Sequence, residues 1–264
     1  MKILYFYRGR VAFSFAGVTL GILSICIIIT TIDGANQKAY QLSEALGPDS
    51  IMVFSGGERQ RAARERFNTI TEDDAQSLAR VAGIYDMVRV LGARNITIRY
   101  KDRNWSSFVV GTTANYFSNM SWKVDRGSVF DVREADRGQA VCVLGSKVYD
   151  ELFKNESGVG KGILVGKLPV TVLGVLEERG GSFGGPHVDD RVIMPLQAVM
   201  GRIVKERKYL SFIRLKTSRD VDQTIEDVRA ILRTNHRITT GEDDFTIRSS
   251  KDVIAFRTVI TGQL

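Results

Sequence analysis

The chain has 264 residues, with 44% hydrophobic and 25% charged residues, values that exclude a disordered or fibrous protein. There are 37 lysines and arginines against 30 aspartates and glutamates, a net charge of +7. The basic residues are interleaved with acidic ones, as on a solvated surface, which excludes the one-signed stripe of a nucleic-acid-binding protein. Residues 1–10 read as a cytoplasmic tail carrying Lys2, Arg8 and Arg10. From Val11 to Ile32 come 22 residues without a charge. As a helix that run is about 33 Å long, enough to cross a lipid bilayer, so 11–32 is read as a transmembrane helix. The first acidic residue is Asp33, just beyond it, so the tail is expected inside and everything after the span outside. A cleaved signal peptide fits less well, because the apolar run is too long and its exit lacks a small-residue cleavage site.

Residues 33–49 read as a helical connector, with Asn36 to Leu46 in the helix and Gly47-Pro48 as the stop. Ser50 to Phe54 has the composition of a strand. Ser55 to Asn68 is polar and charged, as a loop or hairpin would be. Thr71 is a good N-cap with Asp74 three residues on, and Ala75, Leu78, Ala79 and Ala82 give a helical stripe ending at Gly83. Asn95 to Tyr100 and Trp105 to Thr112 are predicted strands around the turn 101–104. Farther on, Val141 to Gly145 is a strand and Ser146 caps a short helix through Phe153. Ile163 to Val165 and Pro169 to Leu176 pair around Gly166-Lys167, the second strand apolar on both faces. Gly180 to Gly185 is a loop and Arg191 to Leu196 a strand. Leu210 to Leu215 is the next strand, and Ser218 caps a helix carrying Val221, Ile225, Val228 and Leu232. Phe245 to Arg248 is the last strand, and 251–264 reads as the lead-in to a further span. Strand–helix–strand thus occurs twice, in 50–112 and in 205–250. The fold class expected is α+β, an extracytoplasmic ferredoxin-like split βαβ layer with a β-rich subdomain, 113–204, inserted into it.

Motifs that carry chemistry are scarce. Ser55-Gly56-Gly57-Glu58-Arg59-Gln60-Arg61 resembles the ATP-gripping signature of ABC ATPases, but no phosphate-cradling loop precedes it. Gly158 to Gly162 lacks the residues of a P-loop and reads as a turn. His187 beside Asp189 and Asp190 could begin a metal site, yet the only other histidine, His236, is distant in sequence. Cys26 lies in the apolar run and Cys142 in a strand, so no disulfide joins them and both read as apolar fillers. No catalytic, cofactor-binding or metal-ligating residue is assigned, and no cofactor is implied. Tyr116, Phe117, Trp122 and Phe183 are candidate partner-contacting aromatics, with a core role the better reading for at least half of them. The stretches Ser55 to Arg66 and Gly180 to Pro186 are candidate contact loops.

Several segments together carry a family resemblance. The basic N-terminus and single span are followed by Leu46-Gly47, Ile51 and Val53, and by the capped helix Thr71 to Leu78. Val141 to Phe153, Val159 to Glu178 and Val192 to Leu196 are the best matches. The chain resembles a MacB/FtsX-type ABC transporter permease, as a MacB-like periplasmic core domain with its first transmembrane helix. That resemblance implies a permease in the bacterial inner membrane whose periplasmic domain couples ATP hydrolysis in the cytoplasm to efflux or hand-over of a substrate. Hydrolysis would belong to a separate ABC ATPase chain, and the other partners implied are further permease chains or a homodimer and a periplasmic adaptor. The family pattern continues with three more spans. The alternative is a non-transporting, membrane-anchored regulatory module of the FtsX kind.

Overall fold

Short apolar runs punctuated by glycine and polar turns fold as strands, and here ten of them share one mixed sheet. The structure, a computed structural model, describes residues 15–30, 47–58, 68–154, 156–180 and 188–249. The connector helix expected at Asn36 to Leu46, the lead-in 251–264, and Arg59 to Arg66 lie outside the described residues. The chain divides into two units, Met1–Glu44 and Ala45–Leu264.

In the first unit, residues 15–30 form helix α1. Among the described residues, no helix is long and apolar enough to cross a membrane. The described part of α1 has 16 residues, about 24 Å at 1.5 Å each, and the rest of the expected span lies outside the described residues. Its large apolar side chains, Phe15, Leu20, Ile22 and Ile25 to Ile29 among them, are exposed.

In the second unit the strands are β1 (Ser50–Ser55), β2 (Ile84–Tyr100), β3 (Arg103–Thr112), β4 (Val124–Gly127), β5 (Val141–Leu144), β6 (Gly162–Val165), β7 (Leu168–Leu176), β8 (Arg191–Pro195), β9 (Phe212–Thr217) and β10 (Phe245–Ser249). Their order is β10-β1-β9-β2-β3-β8-β5-β7-β4, with β6 pairing β2 and β7. The pairs from β10 through β3 are antiparallel, and the β3–β8 and β5–β7 pairs are parallel. Ile51 faces Ser249, so the chain comes into β1 and leaves β10 at one end of the sheet. The helices are α2 (Glu72–Leu78), α3 (Tyr116–Asn119), α4 (Val132–Asp136), α5 (Ser146–Phe153), α6 (Leu196–Ala198), which runs on as a π-helix over Val199–Val204, and α7 (Val221–Asn235).

Successive residues of a strand point to opposite faces, and the sheet centre buries both. In β8, Val192 and Met194 enter one hydrophobic cluster while Ile193 enters the other. Cys142 and Leu144 of β5 do the same against Val141 and Val143. The first cluster carries α2, α5 and α7 through Ala75, Leu78, Val148, Leu152, Val228 and Leu232. The second gathers Tyr116, Phe117, Trp122 and Phe130, with the Phe117 and Phe130 rings edge to face at 5.1 Å.

Several elements differ from expectation. α2 keeps its Thr71–Asp74 capping box but stops at Leu78 rather than near Gly83, because the hydrogen bonds after Ala79 tighten to a three-residue spacing. β2 begins at Ile84, not Asn95. Its register shifts between Ala93 and Ile96, and Asn95 has φ +57°, a bulge that interrupts the alternation from which strands are read. The β2–β3 turn has two residues, Lys101-Asp102, with Tyr100 already facing Arg103. β9 begins at Phe212, because Leu210 donates its backbone N–H to Ile70 instead. The α7 cap is Asp220, whose side chain accepts from Gln223 N at 2.9 Å, and Ser218 instead bonds Gly83 O. Gly145 precedes α5 as its cap residue and Ser146 is the first helical residue. A Cβ on Gly145 would sit 2.2 Å from the Asp189 carbonyl oxygen, so only glycine fits.

The seating of α7 is testable by urea unfolding. Asp220→Ala removes one cap bond and is expected to cost about 1 kcal/mol. Leu232→Ala opens a cavity under a fully buried side chain and is expected to cost about 2–5 kcal/mol. Equal, small losses for both would show that α7 is not packed on the sheet.

Candidate functional site

A charged side chain in the middle of a strand is costly unless the protein replaces its water. Arg214 of β9 is fully buried, on the opposite face from Ile213 and Leu215, which both enter the first cluster. Its Nε donates to Ser50 Oγ at 2.8 Å and its Nη1 to Asn119 O at 3.0 Å, with Met120 Sδ 2.8 Å from Nη1. Burial pushes the guanidinium pKa down, while the negative charges of Asp49 and Asp86 oppose that shift. Asp86 accepts from Asn115 Nδ2 and Asn119 Nδ2, each at 2.5 Å, and Asn115 Nδ2 also reaches Met87 O at 2.9 Å. Tyr85 donates its hydroxyl to Asp49, which raises the phenol's pKa through that hydrogen bond first. Asp49 O in turn accepts from Thr217 N at 3.1 Å. The lead-in to β1, the start of β2, the end of β9 and α3 therefore meet at one polar junction, at the end of the sheet where the chain comes in.

Next to the junction lies a cleft of about 380 Å³, lined by Ala75 and Ala79 of α2, Met87 and Arg89 of β2, Asn115, and Val132 of α4 among others. Arg89 Nη1 donates to Glu72 Oε2 at 2.7 Å, tying the cleft floor to α2. Among the described residues no cluster of histidine, cysteine and carboxylate side chains could hold a metal ion. The junction holds segments together.

Three of the four candidate aromatics take the core role, the better reading for at least half of them. Tyr116, Phe117 and Trp122 are 2%, 5% and 4% exposed, and the Trp122 indole N–H donates to Glu177 O at 2.9 Å. The apolar environment of α3 and the segment after it requires them inside. Phe183 and His187 lie outside the described residues. Asp189 is buried and its carboxylate accepts from the backbone N–H groups of Arg179 and Gly180, so it ties the end of the segment after β7 to the lead-in to β8. Asp190 accepts from the Trp105 indole at 2.9 Å. Ser55 of the ATPase-like string is the last residue of β1 and Gly56 follows it, with Ser55 Oγ donating to Leu210 O and Gly56 N to Asp244 O. Gly158 to Lys161 is the expected turn, with Lys161 N donating to Gly158 O and Gly160 at φ +80°. Cys142 is buried, and burial pushes its thiol pKa far up, so it is an unreactive filler. The junction was missed because Arg214 sits at an ordinary alternating position of a strand. The cue available in the sequence was a lone arginine between Ile213 and Leu215.

The junction predicts energetic coupling. Arg214→Met leaves Ser50 Oγ and Asn119 O without their donor and removes the positive charge that Asp49 and Asp86 feel, and is expected to cost about 1–3 kcal/mol in urea unfolding. With Asp86→Asn already present, the same substitution should cost less, by about 0.5–1 kcal/mol. Additive losses would show that the two residues do not act as a unit.

The chain matches the family described as the MacB-like periplasmic core domain over residues 11–231. It is 27% identical over 245 residues to a macrolide export ATP-binding/permease protein MacB of Marinobacter nauticus, covering 93% of this chain and 37% of that protein. It is 27% identical over 256 residues to the pyoverdine export ATP-binding/permease protein PvdT of Pseudomonas fluorescens, covering 96% of this chain and 38% of that protein. The chain thus spans under two fifths of the length of these relatives. The crystal structure of the periplasmic region of MacB from Actinobacillus actinomycetemcomitans superposes with a TM-score of 0.69 at 19% identity, covering 83% of this chain and 95% of that one. The extracellular domain of the noncanonic ABC-type transporter YknZ from Gram-positive bacteria gives 0.61 at 21% identity, over 76% and 100%. These two likenesses establish the α+β fold, and the family match decides membership: the chain belongs to the MacB-like periplasmic core domain family of ABC transporter permeases.

Proposed function

We propose that the chain is the membrane anchor and extracytoplasmic domain of a MacB-like export permease, in which it transmits motion rather than catalysing a reaction. The observation that carries this is the family match, which begins at residue 11, inside the apolar run, and continues through the sheet domain. ATP hydrolysis belongs to an ABC ATPase partner, in keeping with the ATP-binding/permease names of the relatives. Further permease segments, from a second copy or another chain, complete the translocating core, and a periplasmic adaptor is a possible third partner class.

Residues 11–32 act as a transmembrane helix with the N-terminus in the cytoplasm. Every hydroxyl of α1 supports that reading. Thr19, Ser24 and Thr30 each donate to the backbone carbonyl four residues back, Phe15, Leu20 and Cys26, so none requires water. Lys2, Arg8 and Arg10 ahead of the run set its orientation. The strand order β10-β1-β9-β2, with α2 and α7 as the crossings, supports a ferredoxin-like layer built from 50–112 and 205–250. Residues 113–204 form the inserted subdomain. Motion that reaches residue 49 is passed on through the junction to β2, β9 and α3 together, because Asp49, Ser50, Asp86 and Arg214 bind all of them.

Two measurements test this. Asp102→Cys places a thiol on the exposed β2–β3 turn, and it should react with a membrane-impermeant maleimide on intact spheroplasts, while buried Cys142 stays silent. Labelling only after lysis would overturn the topology. Purification of the native protein from its own membranes in mild detergent should recover ABC ATPase sequence, on the same polypeptide or a partner. Recovery of the domain with no ATPase would overturn the transport role.

A further inference from the structure

The other dense polar cluster is at the opposite end of β1 from the junction, and neither the family match nor the proposed transport role uses it. His236 follows α7 and lies between two carboxylates. Its Nδ1 is 2.6 Å from Asp244 Oδ1 and its Nε2 is 3.1 Å from Asp74 Oδ2. A neutral imidazole has one N–H and one lone pair, so it can satisfy only one of two ionised carboxylates; the doubly protonated ring satisfies both. The two carboxylates are not equivalent. The Asp74 side chain is 3% exposed and also accepts from Thr71 N, Thr71 Oγ1 and Asn235 Nδ2. The Asp244 side chain is 37% exposed, and His236 is its one side-chain partner among the described residues.

We propose that Asp74, His236 and Asp244 form a proton-operated latch that joins α2, the end of α7 and the lead-in to β10 while the imidazole carries both protons. On loss of one proton the remaining N–H stays on Nε2, toward buried Asp74, because that carboxylate cannot be rehydrated in place. Asp244 then faces a lone pair at hydrogen-bond distance and turns to water. Its backbone goes with it: Asp244 O accepts from Gly56 N at 3.1 Å and from Thr69 Oγ1 at 2.8 Å, and the next residue, Phe245, sets its ring edge on to the imidazole and opens β10. The latch thus governs the end of the sheet where β1 finishes and β10 starts.

The neighbouring charges do not substitute for the imidazolium. On α7, Arg233 and Arg229 lie against Asp243, at 2.5 and 3.8 Å. On α2, Glu72 pairs with Arg89 and Asp73 points to solvent. Beyond β1, Glu58 pairs with Arg248. Arg237 and Glu242 flank the segment in sequence, and among the described residues no cation other than His236 pairs with Asp74 or Asp244. Burial pulls the His236 pKa down, but the hydrogen bonds and charges of Asp244 and Asp74 outweigh it, and the net direction is up. Burial likewise raises Asp74, and its bonds from Thr71, Asn235 and His236 carry it below the usual carboxylate value. The signs follow from linkage. The histidine contribution is complete below its unfolded value of about 6.5 and is lost as pH rises through the raised folded midpoint. The Asp74 contribution is complete above about pH 4 and is lost as pH falls through the lowered one. The latch is closed between these limits and opens on the alkaline side.

Hydrogen exchange of the full chain in lipid nanodiscs, read by mass spectrometry across pH 5.5–9 and corrected for intrinsic rates, tests the latch. Protection of peptides covering 53–57 and 242–248 is expected to fall at least tenfold through the His236 midpoint, with the sheet centre unchanged. His236→Gln should abolish the step, and His187→Gln, the control at the other histidine, should leave it. If His236→Gln fails to fold, Asp244→Asn serves, since a neutral partner should move the step to lower pH. Flat protection in the wild-type chain, a step that survives His236→Gln, or a step unmoved in Asp244→Asn would each overturn the latch.

Discussion

A guanidinium with no exposed surface has to be solvated by the protein, and around Arg214 that requirement decides where distant parts of the chain meet. Its partners come from the first residue of β1 and from α3, 164 and 95 residues away along the chain. Asp86 then fixes both Asn115 and Asn119, which orients α3 and the turn before it. Replacing the whole set, Arg214 together with Asp49 and Asp86, by apolar side chains of similar volume would give an equally stable sheet. What the polar version adds is direction, since hydrogen bonds to Ser50 Oγ and Asn119 O are met at one register and no other. A register error of one residue in β9 would turn Arg214 into the apolar cluster that takes Ile213 and Leu215.

The rest of the sheet obeys a simpler rule. Strands β5 and β8 feed side chains to both clusters, so nearly every residue in them is apolar and buried. The outer strands β1 and β10 have one buried face and carry polar residues such as Arg248 on the other. Burying both faces in the centre makes the sheet stiff where β3 and β8 join its two halves in parallel. The polar clusters around Arg214 and His236 lie away from that centre, at the two ends of β1.

Elements with a strong local signal were readable in the sequence. The Thr71–Asp74 capping box, the β6–β7 hairpin around Gly166-Lys167 and the stripe of Val221, Val228 and Leu232 each depend on residues a few positions apart. Signals that depend on distant partners were not. The first half of β2 contains Asp86, Arg89 and Gly92, poor strand formers by composition, and it is a strand because β9 and β3 pair with it on either side. Ser218 looked like a cap because its type favours that role, but its hydroxyl is taken by Gly83 O, and Asp220 caps α7. Tyr116 and Trp122 read as core or contact residues alike, because a polar tip is compatible with either environment. The junction and the latch were both invisible for one reason: each assembles residues from at least three separate stretches of the chain.

The carboxylates that a sequence reader would offer as ligands or catalysts mostly turn inward. Asp74 holds a cap and a histidine, Asp86 holds two asparagines, Asp189 holds two backbone amides, and Asp220 holds the start of α7. The first three fix one segment against another, and Asp220, which is exposed, fixes the start of its own helix. A domain whose buried polar groups are engaged in this way keeps its shape when pulled at one end, because separating any two segments exposes an unpaired charge or donor in a low-dielectric setting. Around Arg214 the requirement is joint: its loss leaves Ser50 Oγ and Asn119 O without their donor, so the guanidinium and the groups that solvate it act as one unit.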